Sequence, residues 1–220
     1  MTQQGKNAID LVLAESLIEL SAKKPIDKIT IKEITDKAGV IRPTFYNHFQ
    51  DKYELIEWII KTELLEPIKP LLNAGMIFEA IVLMLNNISA NSVFYKKALK
   101  LEGAVTFNQI AMKCVCEMFM NIISEKSTGK KSKYRWLTPE VISTYYAQSL
   151  CFITEGWIAQ GMDDIEPKEM AEAYMYLITR SMDDILSELS RTIVMENDGL
   201  SKLIKQNHKE ACVHINMKML

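Results

Sequence analysis

Glycine and proline are scarce in this chain of 220 residues, eight and six respectively. Sheets need tight turns and turns draw on those two residues, so their scarcity argues against an all-β or α/β plan. Histidine is rarer still, at three residues, and there are four cysteines. Cys114, Cys116, Cys151 and Cys212 are scattered through apolar sequence with helical spacing. That is the pattern of reduced thiols packed as small hydrophobes, so disulfides are not expected. Cys114 and Cys116, two apart, point to different faces of a helix and share no metal. A glycine-rich phosphate loop and a Ser-His-Asp grouping are both missing. A helical enzyme is therefore the disfavoured alternative, and no cofactor is expected. There is no run of about 18 apolar residues and no basic, then apolar, leader at the N-terminus, which implies a cytoplasmic protein without a membrane partner. Charge of one sign is also lacking: 26 Lys and Arg face 28 Asp and Glu, for a net charge of -2. Within residues 1–62 the balance is nine to nine. Any recognition of a polyanion must come from placement rather than bulk charge.

What is present is hydrophobic spacing of three and four along nearly the whole chain, which predicts an all-α fold. A first helix is expected from about Asn7 to Ala22, with Ile9, Val12, Leu13, Leu17 and Leu20 inward. Lys23-Lys24-Pro25 ends it. Thr30-Ile31-Lys32-Glu33 and Asp51-Lys52-Tyr53-Glu54 are capping-box patterns that open helices near Ile31 and Lys52. Gly39 suits the turn between the second helix and the segment at Arg42, because glycine adopts positive φ cheaply. Pro67 and Pro70 interrupt the pattern, and twelve of the thirteen methionines follow Ile60. Longer helical segments are expected at about 76–89, 92–100 and 104–125. KSTGKKSKYR, residues 126–135, reads as an exposed loop. Thr138-Pro139 opens a helix reaching about Gly161, and Pro167 opens another reaching about Leu189. The expected organisation is 1–62 as a small helical domain, 63–195 as a larger helical domain, and 196–220 as a tail with a short helix; the resemblance set out below implies DNA binding for the first and ligand binding and dimerisation for the second.

Two short helices around a glycine turn, the second rich in outward polar groups, form the helix-turn-helix pattern. In GVIRPTFYNHFQDK, residues 39–52, a helical reading puts Ile41, Phe45 and Phe49 inward and leaves Arg42, Pro43, Thr44, Tyr46, Asn47 and His48 to meet a polar, regular surface. Residues 30–56, TIKEITDKAGVIRPTFYNHFQDKYELI, resemble the signature of the TetR family of bacterial transcription regulators. The apolar positions Ile31, Ile34, Ala38, Val40, Phe45, Phe49 and Leu55 match, as do Gly39, Tyr46 and Lys52. Double-stranded DNA is then the expected partner. Arg42 is able to bond guanine in two places, and Pro43 and Thr44 offer apolar contact to a thymine methyl. Tyr46 and His48 match positions that hold phosphates in the family. Lys52 and Thr30 stand at helix starts, where free N–H groups favour a phosphate. Asn47 suits adenine or water. The chain departs from the family at Ile41, where a small capping residue is common.

The resemblance implies a palindromic operator bound by a homodimer. The expected dimer face lies on the last two long helices, through Tyr145, Ile153, Gly156, Trp157, Tyr174, Ile178, Met182 and Ile185. A small apolar effector is expected among the longer helices, near Phe107, Met112, Phe119, Glu155 and Arg180; the two charges interrupt apolar runs and so need partners. FYKKALKLEGAVTFNQI, residues 94–110, is similar to the subgroup that includes dihydroxyacetone-kinase regulators. Some members of that subgroup act through a partner protein, so an activator controlled by a protein co-regulator stands beside a ligand-controlled repressor. His208, Cys212 and His214 have spacing that suits zinc or copper, but no metal site is assigned.

Overall fold

The computed structural model describes residues 3–103, 105–126 and 132–189, and every regular element among them is helical. The chain divides into two compact units, Met1–Tyr174 and Met175–Leu220. The first unit opens with α1 (Gln3–Lys23), a single 3-10 turn (Ile26–Lys28), α2 (Ile31–Ala38), α3 (Arg42–Tyr46) and α4 (Lys52–Ile59). It continues with α5 (Lys69–Asn73), α6 (Ile77–Ala90), α7 (Ser92–Ala98), α8 (Phe107–Lys126), α9 (Pro139–Ala159) and α10 (Pro167–Thr179), the last of which runs on past Tyr174. A final helix, α11, covers 182–189.

The boundaries follow local chemistry. At α2 both arms of the capping box form: the Glu33 N–H donates to the Thr30 hydroxyl, and the Glu33 carboxylate accepts from the Thr30 N–H. Gly39 ends α2 at φ 69°, and the Val40 N–H closes the turn onto the Thr35 carbonyl at 3.0 Å. Asp51 caps α4 by accepting from the N–H groups of Tyr53 and Glu54, while the Glu54 carboxylate reaches back one residue further, to the Gln50 N–H.

Beyond Ile59, α4 passes without a break into a π-helical segment, Ile60–Leu65. Pro67, just beyond it, has no N–H to give the Glu63 carbonyl four residues back. The Asn87 side chain on α6 supplies that bond instead, at 2.9 Å. The expected domain boundary at 62/63 falls inside this segment, and the one at 195/196 lies outside the described residues.

The core of this unit forms where α1 packs on α2, α4 and α7, and where α8 packs on α9, α4 and the π segment. Leu13, Leu17, Phe45, Leu55, Ile56, Ile59 and Tyr95 are all fully buried there. Val12, expected inward, is exposed, because α1 turns Asp10, Ala14, Ser16 and Ser21 to the interior alongside Leu13 and Leu17. Pro167 opens its helix as expected, but that helix ends at Thr179 rather than Leu189. Ser181 starts α11 with a capping box of its own, exchanging bonds with Asp184. The stretch Ser181-Met182-Asp183-Asp184 carried that signal within an otherwise unbroken apolar spacing.

Candidate nucleic-acid interface and effector cavity

α3 is a single five-residue helix fixed from beneath. Its one buried side chain, Phe45, stands 5.6 Å from the Tyr46 ring and 5.9 Å from Phe49, and Phe49 meets Trp58 of α4 edge-on at 6.3 Å. Arg42, Pro43, Tyr46 and Asn47 are exposed, and Thr44 is half-exposed. Arg42 enters no ion pair among the described residues, whereas acids of α1 and α2 are engaged: Glu33 with Lys24, Glu19 with Lys37, and Asp36 with Lys32. The Lys24 ammonium beside it, with bonds from Thr30, holds the Glu33 carboxyl down to about 2. Local pairing thus leaves an unpaired guanidinium on the presented face of a segment whose total charge is balanced.

Ile41 does not belong to the inward stripe. It is 69% exposed at the N-cap of α3, whose start is closed by its carbonyl accepting from the Thr44 N–H at 2.9 Å. The reason is local: α3 starts only at Arg42, and Ile41 before it has extended backbone at φ -90° and ψ 153°, so it does not continue the helical face on which Phe45 lies.

Three residues expected at the nucleic acid are engaged within the protein. The His48 side chain is 2% exposed, and its Nδ1 lies 2.6 Å from Asp10 Oδ1 on α1. Lys52 donates from Nζ to the carbonyls of Ile26, Asp27 and Ile29 at 3.0, 2.7 and 3.2 Å. Those bonds satisfy the end of the 3-10 turn that leads into α2, and burial pulls the Lys52 ammonium below its usual range. The Thr30 hydroxyl is committed to the α2 cap. These side chains hold α1, the 3-10 turn and α4 in fixed relation to α3.

The larger part of the first unit holds an apolar cavity of about 40 Å³. Ile60, Leu64 and Leu65 of the π segment form one wall, and α6, α7, α8 and α9 form the rest. Of the residues expected near an effector, Phe107 and Glu155 line it and Met112 and Phe119 do not; Phe119 faces Tyr146 at 6.2 Å. Burial pushes the Glu155 carboxyl up, while an Asn108 amide bonds it. Arg180 lies in the second unit as an exposed residue, 3.4 Å from Glu188 and over the Tyr176 ring. It is not a buried charge, because the break before Ser181 leaves it at a helix end. Tyr95 and Thr154, which no sequence signal singles out, also line the cavity, and each has a buried hydroxyl without a partner among the described residues.

Two of the residues expected at a dimer face are interior. Trp157 is 2% exposed and donates from Nε1 to the Ile165 carbonyl at 2.9 Å, and Tyr174 is buried with its hydroxyl 3.1 Å from Ser149 Oγ. Both belong to long apolar helix faces, but their side chains pack inward and each polar tip finds a partner within the chain. Tyr145 is exposed, as is Phe152 at 76%; Ile153 and Gly156 are half-buried. In the second unit Ile178 and Ile185 are half-buried, and Met182 is exposed with Leu177, Leu186 and Leu189. The tail residues His208, Cys212 and His214 lie outside the described residues. Among the described residues no three His, Cys, Asp or Glu side chains converge as a metal site, and no single helix is long and apolar enough to cross a membrane.

Comparison with known proteins gives a consistent result. Residues 15–59 match the family "Bacterial regulatory proteins, tetR family", and residues 76–180 match "Transcriptional regulator C-terminal region". The HTH-type dhaKLM operon transcriptional activator DhaS of Lactococcus lactis is 26% identical over 152 residues, covering 68% of this chain and 79% of the relative. The solved structure of a dihydroxyacetone kinase operon activator DhaS superposes with a TM-score of 0.55 at 21% identity, over 77% of this chain and 93% of that one. NalD, the secondary repressor of the MexAB-OprM multidrug efflux pump in Pseudomonas aeruginosa, superposes with a TM-score of 0.52 at 13% identity, over 77% and 94%.

Proposed function

Because the chain belongs to the TetR family of bacterial transcriptional regulators, we propose that it acts in the cytoplasm as a homodimer on palindromic operator DNA, with its affinity set by a small ligand in the cavity behind α4. The observation that carries this reading is α3 itself, a short helix with an unpaired Arg42, Pro43, Tyr46 and Asn47 outward and Phe45 locked beneath. Helix N-terminal residues read base edges in the major groove. Arg42 reads guanine, Pro43 and Thr44 meet thymine methyls, Asn47 bonds adenine, and Tyr46 holds a phosphate. Thr30, His48 and Lys52 position this helix from behind.

The path from cavity to DNA is continuous. The π segment that walls the cavity is the end of the same helix whose start, Lys52, grips the turn before α2. A ligand that moves Ile60, Leu64 and Leu65 tilts α4 and carries α2 and α3 with it. Two reading helices whose spacing changes then fit the two half-sites less well, so effector and DNA weaken each other reciprocally. Tyr145, Ile153 and Gly156 on α9 supply a dimer face, to which Phe152 adds its exposed ring; Ile178, Met182 and Ile185 are the candidates for dimer contact within the second unit. Chemistry on a substrate has no part in this reading.

A second reading, control by a protein co-regulator, draws on Tyr134 and Trp136, which are 62% and 75% exposed ahead of α9. Selection of bound fragments from randomised and genomic DNA tests the main proposal. Enrichment of one palindrome is the expected result, and a folded, dimeric protein that enriches no sequence overturns it.

A further inference from the structure

Four charged side chains form a ladder between α4 and α8. Glu57 on α4 accepts from the Lys113 ammonium on α8 through both carboxylate oxygens, at 3.1 and 2.8 Å. One turn further on, Lys61 at the start of the π segment reaches Glu117 of α8 at 2.8 Å, and it also bonds Glu57 at 2.7 Å. Both steps are four residues forward, so the two helices run side by side in the same direction. The signs alternate along each helix and oppose across the gap. Burial works against the Glu57 charge, yet the bonds from Lys113 and Lys61 outweigh it and hold the carboxyl below its usual range. Glu57, Lys61 and Lys113 are thus all held in their charged forms.

We propose that this ladder fixes the register of α4 on α8, and through it the separation of the two reading helices in the dimer, so that Glu57, Lys61, Lys113 and Glu117 select the half-site spacing of the operator. The inference rests on the operator-binding reading above. Behind the ladder both helices are apolar: Ile56, Ile59 and Ile60 are buried, as are Ile110 and Cys114 of α8. Apolar attraction has no direction, so by itself it tolerates a slip of one turn. The charged rungs do not. A slip one way sets Glu57 against Glu117 and leaves Lys61 opposite Asn121; a slip the other way sets Lys61 against Lys113 and leaves Glu57 opposite Gln109. Each slip replaces two attractive rungs with one repulsive rung. Partly exposed pairs add little to stability, but the choice between registers depends on the difference between attraction and repulsion. α4 carries the reading helix with it, because Lys52 at its start holds the turn before α2 and Trp58 packs on Phe49. One helical turn is about 5.4 Å against about 3.4 Å per base pair, so a displaced α4 moves its reading helix by about one to two base pairs.

The test inverts the ladder one helix at a time, which keeps the net charge, and so the bulk attraction to DNA, constant. Glu57→Lys with Lys61→Glu inverts α4, Lys113→Glu with Glu117→Lys inverts α8, and the fourfold variant restores every rung with its signs exchanged. Each full-length protein is put through selection from randomised DNA, and its Ile and Val methyl spectrum is recorded without DNA. All four proteins should enrich the same half-site sequence, because α3 is untouched. The parent and the fourfold variant should share one spacing. Each single-helix inversion should shift that spacing by about one to two base pairs, or spread it, and bind the parent-spaced operator about tenfold more weakly. The Ile56, Ile60, Ile110 and Val115 methyl signals should move in both single-helix inversions and return in the fourfold variant. Glu57→Gln, which removes charge without adding repulsion, should broaden the spacing should an inversion fail to fold. A ladder that serves stability alone would lower the melting temperature and leave every spacing at the parent value, which overturns the assignment; methyl signals that stay in place overturn it as well. Signals that move and return in proteins that enrich no DNA uphold the register lock and remove the operator reading instead.

Discussion

Lys52 gives the sharpest test of how the reading head is held. In the sequence it stands where a phosphate contact is expected; in the structure its ammonium is spent on three backbone carbonyls of the turn before α2. Lys52→Met keeps the aliphatic stem and removes the donors. A hydrogen bond from a charged donor contributes about 1.5–3 kcal/mol when buried, but this side chain is only half-buried and water can reach the carbonyls it leaves. The expected loss is therefore about 1–3 kcal/mol in total, or roughly 3–9 °C in Tm for a chain of this size. The second readout is the salt dependence of operator binding. One phosphate contact per subunit would contribute about 0.9 to the slope of log K against log salt, so a dimer losing two would flatten by about 1.8. If Lys52 is a clamp, thermal melting shows the loss while the slope stays unchanged. An unchanged Tm together with a slope flattened by about two would refute the reasoning and return Lys52 to the phosphate.

Arg42→Ala should cost about 1–3 kcal/mol of discrimination between operator and altered half-sites in competition binding; equal loss on all sequences would show that it reads no base. Gly39→Ala meets open space but keeps φ at 69°, so strain alone should destabilise by about 1–2 kcal/mol in denaturant melts, and no loss would mean the turn relaxes elsewhere. Asp10→Ala should cost about 3 kcal/mol by stranding buried His48, and Asp10→Leu with His48→Phe should recover part of it; additive losses in that cycle would show the pair is not coupled. Ile153→Asp should weaken dimerisation at least about a hundredfold by sedimentation while leaving the helical content intact, and an undisturbed dimer would move the interface off α9.

The sequence by itself determined the helices and the helix-turn-helix, because their signals are short-range. Thr30 and Glu33, Asp51, Gly39, Pro139 and Pro167 each act within about one turn of chain, and the apolar periods between them fix which element forms. Phe45 and Phe49 were legible as core for the same reason. Tertiary structure decided the partners of His48 and Lys52, which lie 38 and 23 to 26 residues away in the chain, and so turned two expected phosphate ligands into internal ties. It also decided that Trp157 and Tyr174 face inward, since an aromatic with a polar tip has the same spacing whether that tip meets a loop carbonyl or a second subunit. Tyr95 and Thr154 lay beyond sequence reading altogether. Whether a buried hydroxyl finds a partner is settled by every element that packs against it, and no periodicity along one helix records what the others leave out.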